Sequence, residues 1–219
     1  MDEVKALLFD VFGTTVDWRG SMIRHTARFG LPEETADLWR DQYQPQLETV
    51  RSGRRPWVNL DVLHRIGLDI VLAELGIDLP ERYRRTLVKA WHALDPWPDV
   101  VDGLTQLKET HVIAPCSNGH IAQSVNLAKY AGLPWDAILG AEIARAYKPD
   151  PAVYRASADA LGLDYDEVCM VAAHNDDLHA ARAAGLRTAF VPRPTEDTEP
   201  DSDWDVVAPS FHELARCST

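Results

Sequence analysis

Short apolar runs and longer amphipathic stretches alternate along much of the chain. The first run, residues 6–12, is closed by Gly13 and two threonines, which is typical of a buried strand that ends in a turn. Residues 16–94 differ, because their apolar positions follow helical spacing almost throughout. Beyond residue 95 strand and helix patterns alternate. Further strands are predicted over 111–117, 137–139, 168–173 and 188–191.

The alternation predicts an α/β fold with a parallel sheet covered by helices on both faces. We expect residues 1–15 and 95–219 to form the core. The helical stretch 16–94 then becomes an insertion after the first strand, a cap over the carboxyl edge of the sheet. In open α/β sheets, ligands bind at this edge.

Helical spacing and breaks at Gly and Pro set the expected helix limits. Helices are predicted over 16–30, 33–50, 60–75, 81–93, 100–108, 120–131, 151–161 and 177–184. Residues 194–203 are acidic and contain proline, and we interpret them as a surface loop.

Composition narrows the class of partner. The 219 residues are 46% hydrophobic, which supports a packed core, and the net charge of −12 argues against a nucleic-acid partner. No apolar run approaches the roughly 18 residues of a membrane span, and no signal peptide is seen. Three widely spaced cysteines indicate reduced thiols rather than disulfides or a zinc site. We therefore expect a cytoplasmic protein.

Polar residues recur in order after predicted strands or before predicted helices. Alone, each has an ordinary explanation as a helix cap, a turn or a solvated side chain. At one sheet edge, however, these residues would form a single site. A buried carboxylate such as that of Asp10 needs polar or cationic partners of this kind. These residues are Asp10, Ser117, Asn118, Lys148, His174, Asp176 and Asp177.

These motifs resemble those of the haloacid dehalogenase superfamily. The resemblance rests on Phe9-Asp10-Val11-Phe12-Gly13-Thr14, Ser117-Asn118-Gly119, Lys148-Pro149-Asp150-Pro151 with Tyr154, and residues 171–185. It implies a Rossmann-like core with an inserted all-helical cap. It also implies that Asp10 is a nucleophile that forms a covalent ester or acyl-phosphate.

Two departures separate the chain from superfamily phosphatases. Those enzymes carry a second Asp two residues after the nucleophile, where this chain has Phe12, which cannot transfer a proton. They also carry Gly-Asp-Ser where this chain has Ala172-Ala173-His174, so one carboxylate ligand for magnesium is missing. Phosphoryl transfer depends on that metal charge. The chain instead resembles the 2-haloacid dehalogenase branch, which implies neither metal nor cofactor.

The resemblance implies hydrolysis of a short-chain (S)-2-haloacid to a 2-hydroxyacid and halide. Asp10 attacks the carbon that bears the halogen, and water then cleaves the ester at the Asp10 carbonyl. Lys148 orients Asp10, and Arg40 faces the halide. The expected substrate-binding residues are Val11, Phe12, Arg40, Ser117 and Asn118. The expected pocket or supporting residues are Thr14, Trp57, Asn59, Tyr154 and Asn175.

Hydrolysis of the ester needs a base, and two residues are candidates. Many relatives have Asn in place of His174 and use the nearby acid, here Asp177. Because imidazole titrates near neutral pH, His174 is the other candidate, and we hypothesise a His174–Asp177 pair. The motif Asp17-Trp18-Arg19 resembles that of dehalogenases active on fluoroacetate, so the halogen stays open.

Two other functions remain open from sequence. One is a phosphatase with relaxed metal ligation, and the other is a non-catalytic protein of this fold that binds a small acid. The expected partner is a small-molecule haloacid, without nucleic acid or membrane. Either a monomer or a homodimer fits the sequence.

Overall fold

The first strand of the chain lies inside a parallel sheet in the computed structural model of the protein, which describes residues 3–217. The strands are β1 (Ala6–Phe9), β2 (Val16–Asp17), β3 (Asp95–Pro96), β4 (Val112–Ser117), β5 (Leu139–Gly140), β6 (Val168–Ala172), β7 (Arg187–Phe190) and β8 (Val206–Val207). One sheet has the order β5-β4-β1-β6-β7-β8, and all its neighbouring strands run parallel. β2 and β3 form a separate antiparallel pair. The α/β prediction is confirmed.

Helices surround this sheet and fill the long insertion after β1. They are α1 (Trp18–Ala27), α2 (Glu34–Asp41), α3 (Tyr43–Arg51), α4 (Leu60–Glu74), α5 (Glu81–Ala90), α6 (Val100–Leu107), α7 (Ile121–Ala131), α8 (Ala141–Ala144), α9 (Pro151–Leu161), α10 (Asn175–Ala184) and α11 (Phe211–Cys217). A 3₁₀ turn spans Tyr165–Glu167. We call residues 16–94 the helical segment, and their division from the core as a domain stays a prediction.

The two faces of β1 contribute to two hydrophobic clusters. Leu7 and Phe9 join a cluster that continues into the helical segment, whereas Ala6 and Leu8 join one formed with α9 and α10. Successive strand residues point to opposite faces, so a continuous apolar run suits a strand covered on both sides. Burial of each Leu or Phe stabilises the fold by about 1.5–3 kcal/mol.

The parallel register brings the strand ends to one edge. Phe9 lies opposite Pro115 of β4 and Val171 of β6. Asp10 then donates its backbone N–H to the Val171 carbonyl at 2.9 Å. Residues that follow these three strands can therefore reach one site.

The helical segment contains α1–α5, but the single helix predicted over 33–50 is wrong. α2 and α3 are separate helices that meet at Gln42. Pro45 explains the break, because it has no N–H to bond the Asp41 carbonyl four residues earlier and its ring clashes there. The break lets the end of α2 and the start of α3 both face the sheet edge.

Short elements near the C-terminus were not predicted. β8 has two residues and α11 has seven, which is too short for a clear periodic pattern. Among residues 3–217, no helix is long and apolar enough to cross a membrane.

Candidate active site

A cavity of about 430 Å³ lies at the carboxyl edge of the sheet, under the helical segment. From the strand-end loops and the helices that follow them, it is lined by Asp10, Phe12, Asn118, Lys148, Pro149, Tyr154, His174, Asp176, Asp177 and Asp197. From the helical segment, it is lined by Arg40, Tyr43, Gln44 and Arg51. Residues from both parts of the chain thus enclose one polar space.

Asp10 directly follows β1 and is held by three donors. Its Oδ1 accepts from Lys148 Nζ at 3.0 Å, and its Oδ2 accepts from Thr14 Oγ1 at 2.8 Å and lies 3.1 Å from His174 Nδ1. Burial alone raises the pKa of Asp10, but Lys148, His174 and Thr14 outweigh burial and hold this pKa well below its usual range. Asp10 is therefore an ionised carboxylate, the form needed in a nucleophile.

Lys148 joins Asp10 to a second carboxylate. Its Nζ lies 2.6 Å from Asp177 Oδ2, and Tyr154 donates its hydroxyl to Asp177 Oδ1 at 2.5 Å. Burial lowers the pKa of Lys148, but Asp10 and Asp177 reverse this shift and leave the pKa above its usual value. The ammonium therefore stays charged, and Asp177, which is itself held by Tyr154, keeps it beside Asp10.

Asn118 supports the loop that carries Lys148. Its Oδ1 accepts from the Lys148 backbone N–H at 2.8 Å, and its Nδ2 donates to the Tyr43 hydroxyl at 3.0 Å. Arg51 of α3 donates to the Lys148 carbonyl at 2.9 Å. These contacts link the helical segment to the strand-end loops around the cavity.

His174 lies between two carboxylates, and the hypothesised His174–Asp177 pair is wrong. Its Nδ1 faces Asp10, and its Nε2 lies 2.8 Å from Glu196 Oε2. His174 precedes α10, whereas Asp177 is in its first turn, where Lys148 takes the carboxylate. Burial lowers the pKa of His174, but Asp10 and Glu196 raise it to about 10. The ring is therefore an imidazolium at neutral pH.

Glu196 is a residue of the site that the sequence does not predict, because the pattern of residues 194–203 indicates a surface loop. The cavity-lining residues Tyr43, Gln44, Arg51 and Asp197 are likewise not predicted. The Glu196 side chain is only 10% exposed, and its Oε1 accepts from Trp18 Nε1 at 2.7 Å. The same loop is fixed by Asp197, whose Oδ2 accepts from the Asn175 backbone N–H at 2.8 Å. The signal that could have placed Glu196 near the site is topological, because its loop follows β7 at the same edge of the sheet.

Arg40 lines the cavity from α2, where the resemblance placed a cation. Its guanidinium carbon lies 4.3 Å from the Tyr43 ring centroid and 5.1 Å from that of Trp18. Its Nη1 is buried and has no hydrogen-bond partner among residues 3–217. Arg40 therefore has an N–H donor without a partner next to the cavity, and such a donor suits the binding of an anion.

Several predicted contacts with the cavity are not seen. Trp57 stacks on Tyr147 with ring centroids 6.4 Å apart, and Asn59 caps α4 by accepting from Val62 N at 3.3 Å. Neither side chain lines the cavity, because stacking and capping turn them elsewhere. Of the two roles expected for them, pocket or support, these contacts favour support.

Val11 and Ser117 are also absent from the cavity lining, and their expected contact with substrate stays a prediction. Both are nearly fully buried. The Ser117 hydroxyl accepts from Gly119 N at 3.1 Å, so the turn uses this oxygen itself. Of the Ser117-Asn118 pair, Asn118 faces the cavity.

One group of potential metal ligands in the described part of the chain lies outside the cavity lining. Asp61, His92 and His120 place one ligand atom each within 4.8 Å of one another. Lys89 Nζ already lies 2.5 Å from Asp61 Oδ2, and His92 Nε2 lies 2.8 Å from Asp61 Oδ1. The arrangement is that of an ion-pair cluster that reaches the surface, because the exposed Lys89 supplies the positive charge.

The chain matches known proteins in both sequence and fold. The family model of haloacid dehalogenase-like hydrolases matches residues 4–185. The (S)-2-haloacid dehalogenase of Pseudomonas sp. (strain YL) is 32% identical over 215 residues, 95% of this chain and 92% of that protein. The structure of a defluorinating L-2-haloacid dehalogenase matches with a TM-score of 0.94 and 45% identity, over 98% of this chain and 94% of that one.

A second solved L-2-haloacid dehalogenase matches with a TM-score of 0.96 and 43% identity, over 99% of this chain and 100% of that one. The matched family region contains Asp10, Lys148, His174 and Asp177. The chain therefore belongs to the haloacid dehalogenase-like hydrolase family.

Proposed function

We propose that the protein hydrolyses a short-chain (S)-2-haloacid to a 2-hydroxyacid and halide through a covalent ester on Asp10. The observation that carries the proposal is an ionised Asp10 held between Lys148 and His174 at the wall of a cavity. The (S) preference is supported by relatives that are named (S)-2-haloacid dehalogenases. Fluoride as a leaving group is supported by the match to a defluorinating enzyme.

The first step is a displacement at the carbon that carries the halogen. A carboxylate oxygen of Asp10 forms a bond to this carbon while the carbon–halogen bond breaks, and the electron pair leaves with the halide. Arg40 stabilises the departing anion, because its buried N–H has no other partner. Asn118 binds the substrate carboxylate, and Phe12 forms an apolar wall of the cavity.

The reaction needs no metal in this proposal, because the chain supplies the positive charges itself. Lys148 and His174 contact the two oxygens of Asp10. Phe12 and Ala173 stand where superfamily phosphatases carry carboxylates, so a phosphatase lacks its proton donor and a metal ligand here. The helical segment acts as a cap that brings Arg40 and Tyr43 to the cavity.

Halide release from both enantiomers of 2-chloropropionate and from fluoroacetate, with EDTA present, tests the proposal. We expect halide from (S)-2-chloropropionate with wild type and none with Asp10→Asn, which keeps the shape of the side chain but not its charge. Asp150→Asn is the matched control, since Asp150 caps α9. No halide from any of the three acids would overturn the proposal, and activity only with added magnesium on p-nitrophenyl phosphate would favour a phosphatase.

A further inference from the structure

Glu196 is enclosed on three sides. Its Oε2 lies 2.8 Å from His174 Nε2, and its Oε1 accepts from Trp18 Nε1 at 2.7 Å. Its carboxyl carbon lies 2.5 Å from where a Cβ on Gly13 would be, so only glycine leaves this space free. The Glu196 carboxylate thus belongs to an acidic loop but lies inside the protein. It contacts the His174 ring, which also contacts Asp10.

We propose that Glu196 is a positioning residue that holds His174 Nδ1 toward Asp10, and that ester formation converts His174 into the base that activates water. The inference rests on the Asp10 ester proposed above. It assigns a part in the reaction to Glu196 and to Trp18, neither of which touches the reacting atoms.

In the free enzyme His174 cannot serve as a base. Its ring lies between two carboxylates, and both nitrogens must carry hydrogen to donate to them. The charged groups that face the ring are Asp10 from the end of β1 and Glu196 from the loop after β7, and they raise the pKa of His174 to about 10. The imidazolium therefore helps to keep Asp10 ionised before it attacks.

Ester formation removes the charge on one side of the ring. The alkylated Asp10 is neutral, so the pKa of His174 falls, while Glu196 still accepts from Nε2–H. The proton that leaves to solvent is therefore the one on Nδ1, and the free electron pair faces Asp10. A carboxylate that fixes the tautomer of a catalytic histidine acts by the same principle in hydrolytic triads.

The bonds and protons of ester hydrolysis can then be followed within the site. Water gives a proton to His174 Nδ1 as its oxygen bonds to the Asp10 carbonyl carbon. The bond from this carbon to the alkyl oxygen breaks, and the 2-hydroxyacid leaves with the remaining water proton. Asp10 is again a carboxylate beside an imidazolium. One proton and one halide are released in each cycle.

Asp177 is not available for this task. Lys148 occupies one of its oxygens at 2.6 Å, and the Tyr154 hydroxyl occupies the other at 2.5 Å. Burial and the Asp177 charge raise the pKa of Tyr154, so the phenol keeps its proton and continues to donate. His174 thus has the better access to the Asp10 carboxyl.

The test separates the two half-reactions in wild type, Glu196→Gln and Glu199→Gln. Glu199 is an exposed residue of the same loop, so its variant is matched in charge and position. Rapid-quench halide release measures ester formation, and intact-protein mass measures the ester. We expect Glu196→Gln to release one equivalent of halide within a few-fold of the wild-type rate. It should then hydrolyse the ester about 10²-fold more slowly, so the adduct accumulates.

The pH dependence of ester hydrolysis gives a second readout, which would stay unchanged if Glu196 had only a structural role. Because the Glu196 charge raises the pKa of His174, the apparent pKa of this step should fall in Glu196→Gln and stay unchanged in Glu199→Gln. Trp18→Phe keeps the Glu196 charge but loses its N–H donor, and it should slow the same step to a smaller extent. It serves as the test variant if Glu196→Gln does not fold.

The results that would overturn this inference differ from those that would refute the proposed function. Wild-type rates and pH profile of ester hydrolysis in Glu196→Gln, or in Trp18→Phe if that variant alone folds, would overturn the inference and leave the proposed function intact. Equal slowing of ester formation and hydrolysis would also overturn it. Absence of both halide and adduct in wild type would instead refute the proposed function.

Discussion

The charges around Asp10 alternate in sign along a chain of five residues. Asp177, Lys148, Asp10, His174 and Glu196 follow one another with separations of 2.6, 3.0, 3.1 and 2.8 Å between their polar atoms. Each buried charge is thereby paired, since an unpaired one would cost several kcal/mol. Ester formation neutralises Asp10, the central member. The loss of this negative charge acts first on the two neighbouring cations, Lys148 and His174.

The His174 imidazolium makes stability depend on pH. The pKa of His174 is about 10 in the folded chain against 6.5 for an unperturbed ring. Folding raises this pKa, so the stabilisation is fully present below pH 6.5 and is lost as pH rises through 10. We expect the difference in free energy of unfolding between wild type and His174→Asn to shrink over this range. Urea unfolding measures it, and a constant difference would argue against the imidazolium.

Arg40 should affect only the first half of the reaction. Because its unpartnered N–H is assigned to the departing halide, Arg40→Met should slow halide release by about 10²-fold. Hydrolysis of the ester, once formed, should change little. Arg28→Met, at an exposed position of the same segment, is the control. Slower ester hydrolysis with unaltered halide release would contradict this assignment.

Among the structural elements, the turn after β1 depends on Gly13. Its φ of +92° is one that other residues adopt with difficulty, and a Cβ there would strike the Glu196 carboxylate. Gly30 has a similar φ of +71° with nothing within 4 Å of a Cβ, so it supplies a matched control.

We expect Gly13→Ala to lower the free energy of unfolding by about 1–3 kcal/mol more than Gly30→Ala does. Both variants carry the cost of a positive φ, so the difference reports the contact with Glu196. Thermal or urea unfolding of the two variants measures it. Equal losses would show that the loop moves away from Gly13 without cost.

The elements also show how far the sequence could predict the site. Asp10, Lys148 and His174 were predicted together because the carboxyl ends of parallel strands share an edge. Glu196 was not, because its burial depends on packing against Trp18, which lies 178 positions earlier in the chain. No local pattern distinguishes this acid from the solvated acids beside it.

The helices were predicted least well where one residue decides a boundary. Apolar spacing continues through residues 33–50, but Pro45 removes a backbone donor and divides the stretch. The position of Trp57 and Asn59 after a loop predicts pocket or supporting residues and does not decide between the two. Spacing along the chain shows which face of an element a residue occupies, but not which neighbour covers it.

For the whole molecule, one hydrophobic cluster spans the sheet and the helical segment. Phe12 after β1 meets Trp91 after α5 at a centroid distance of 6.0 Å, and Trp18 stacks on Trp91 at 6.3 Å. The predicted cap and core therefore share apolar contacts beside the cavity.

We expect this shared cluster to make unfolding a single transition. Far-UV circular dichroism, which follows the helices, and tryptophan fluorescence, which follows the cluster, should give the same midpoint in urea. Two separated midpoints would indicate that the helical segment and the core unfold independently.

The central claim is a covalent ester on Asp10, and the fate of one water oxygen tests it most directly. With enzyme in excess over (S)-2-chloropropionate in ¹⁸O-labelled water, a single turnover should place the label in the peptide that contains Asp10. The lactate formed in that turnover should carry unlabelled oxygen from Asp10. Label in the lactate and none in Asp10 would mean that water attacks the substrate carbon directly, which contradicts the ester.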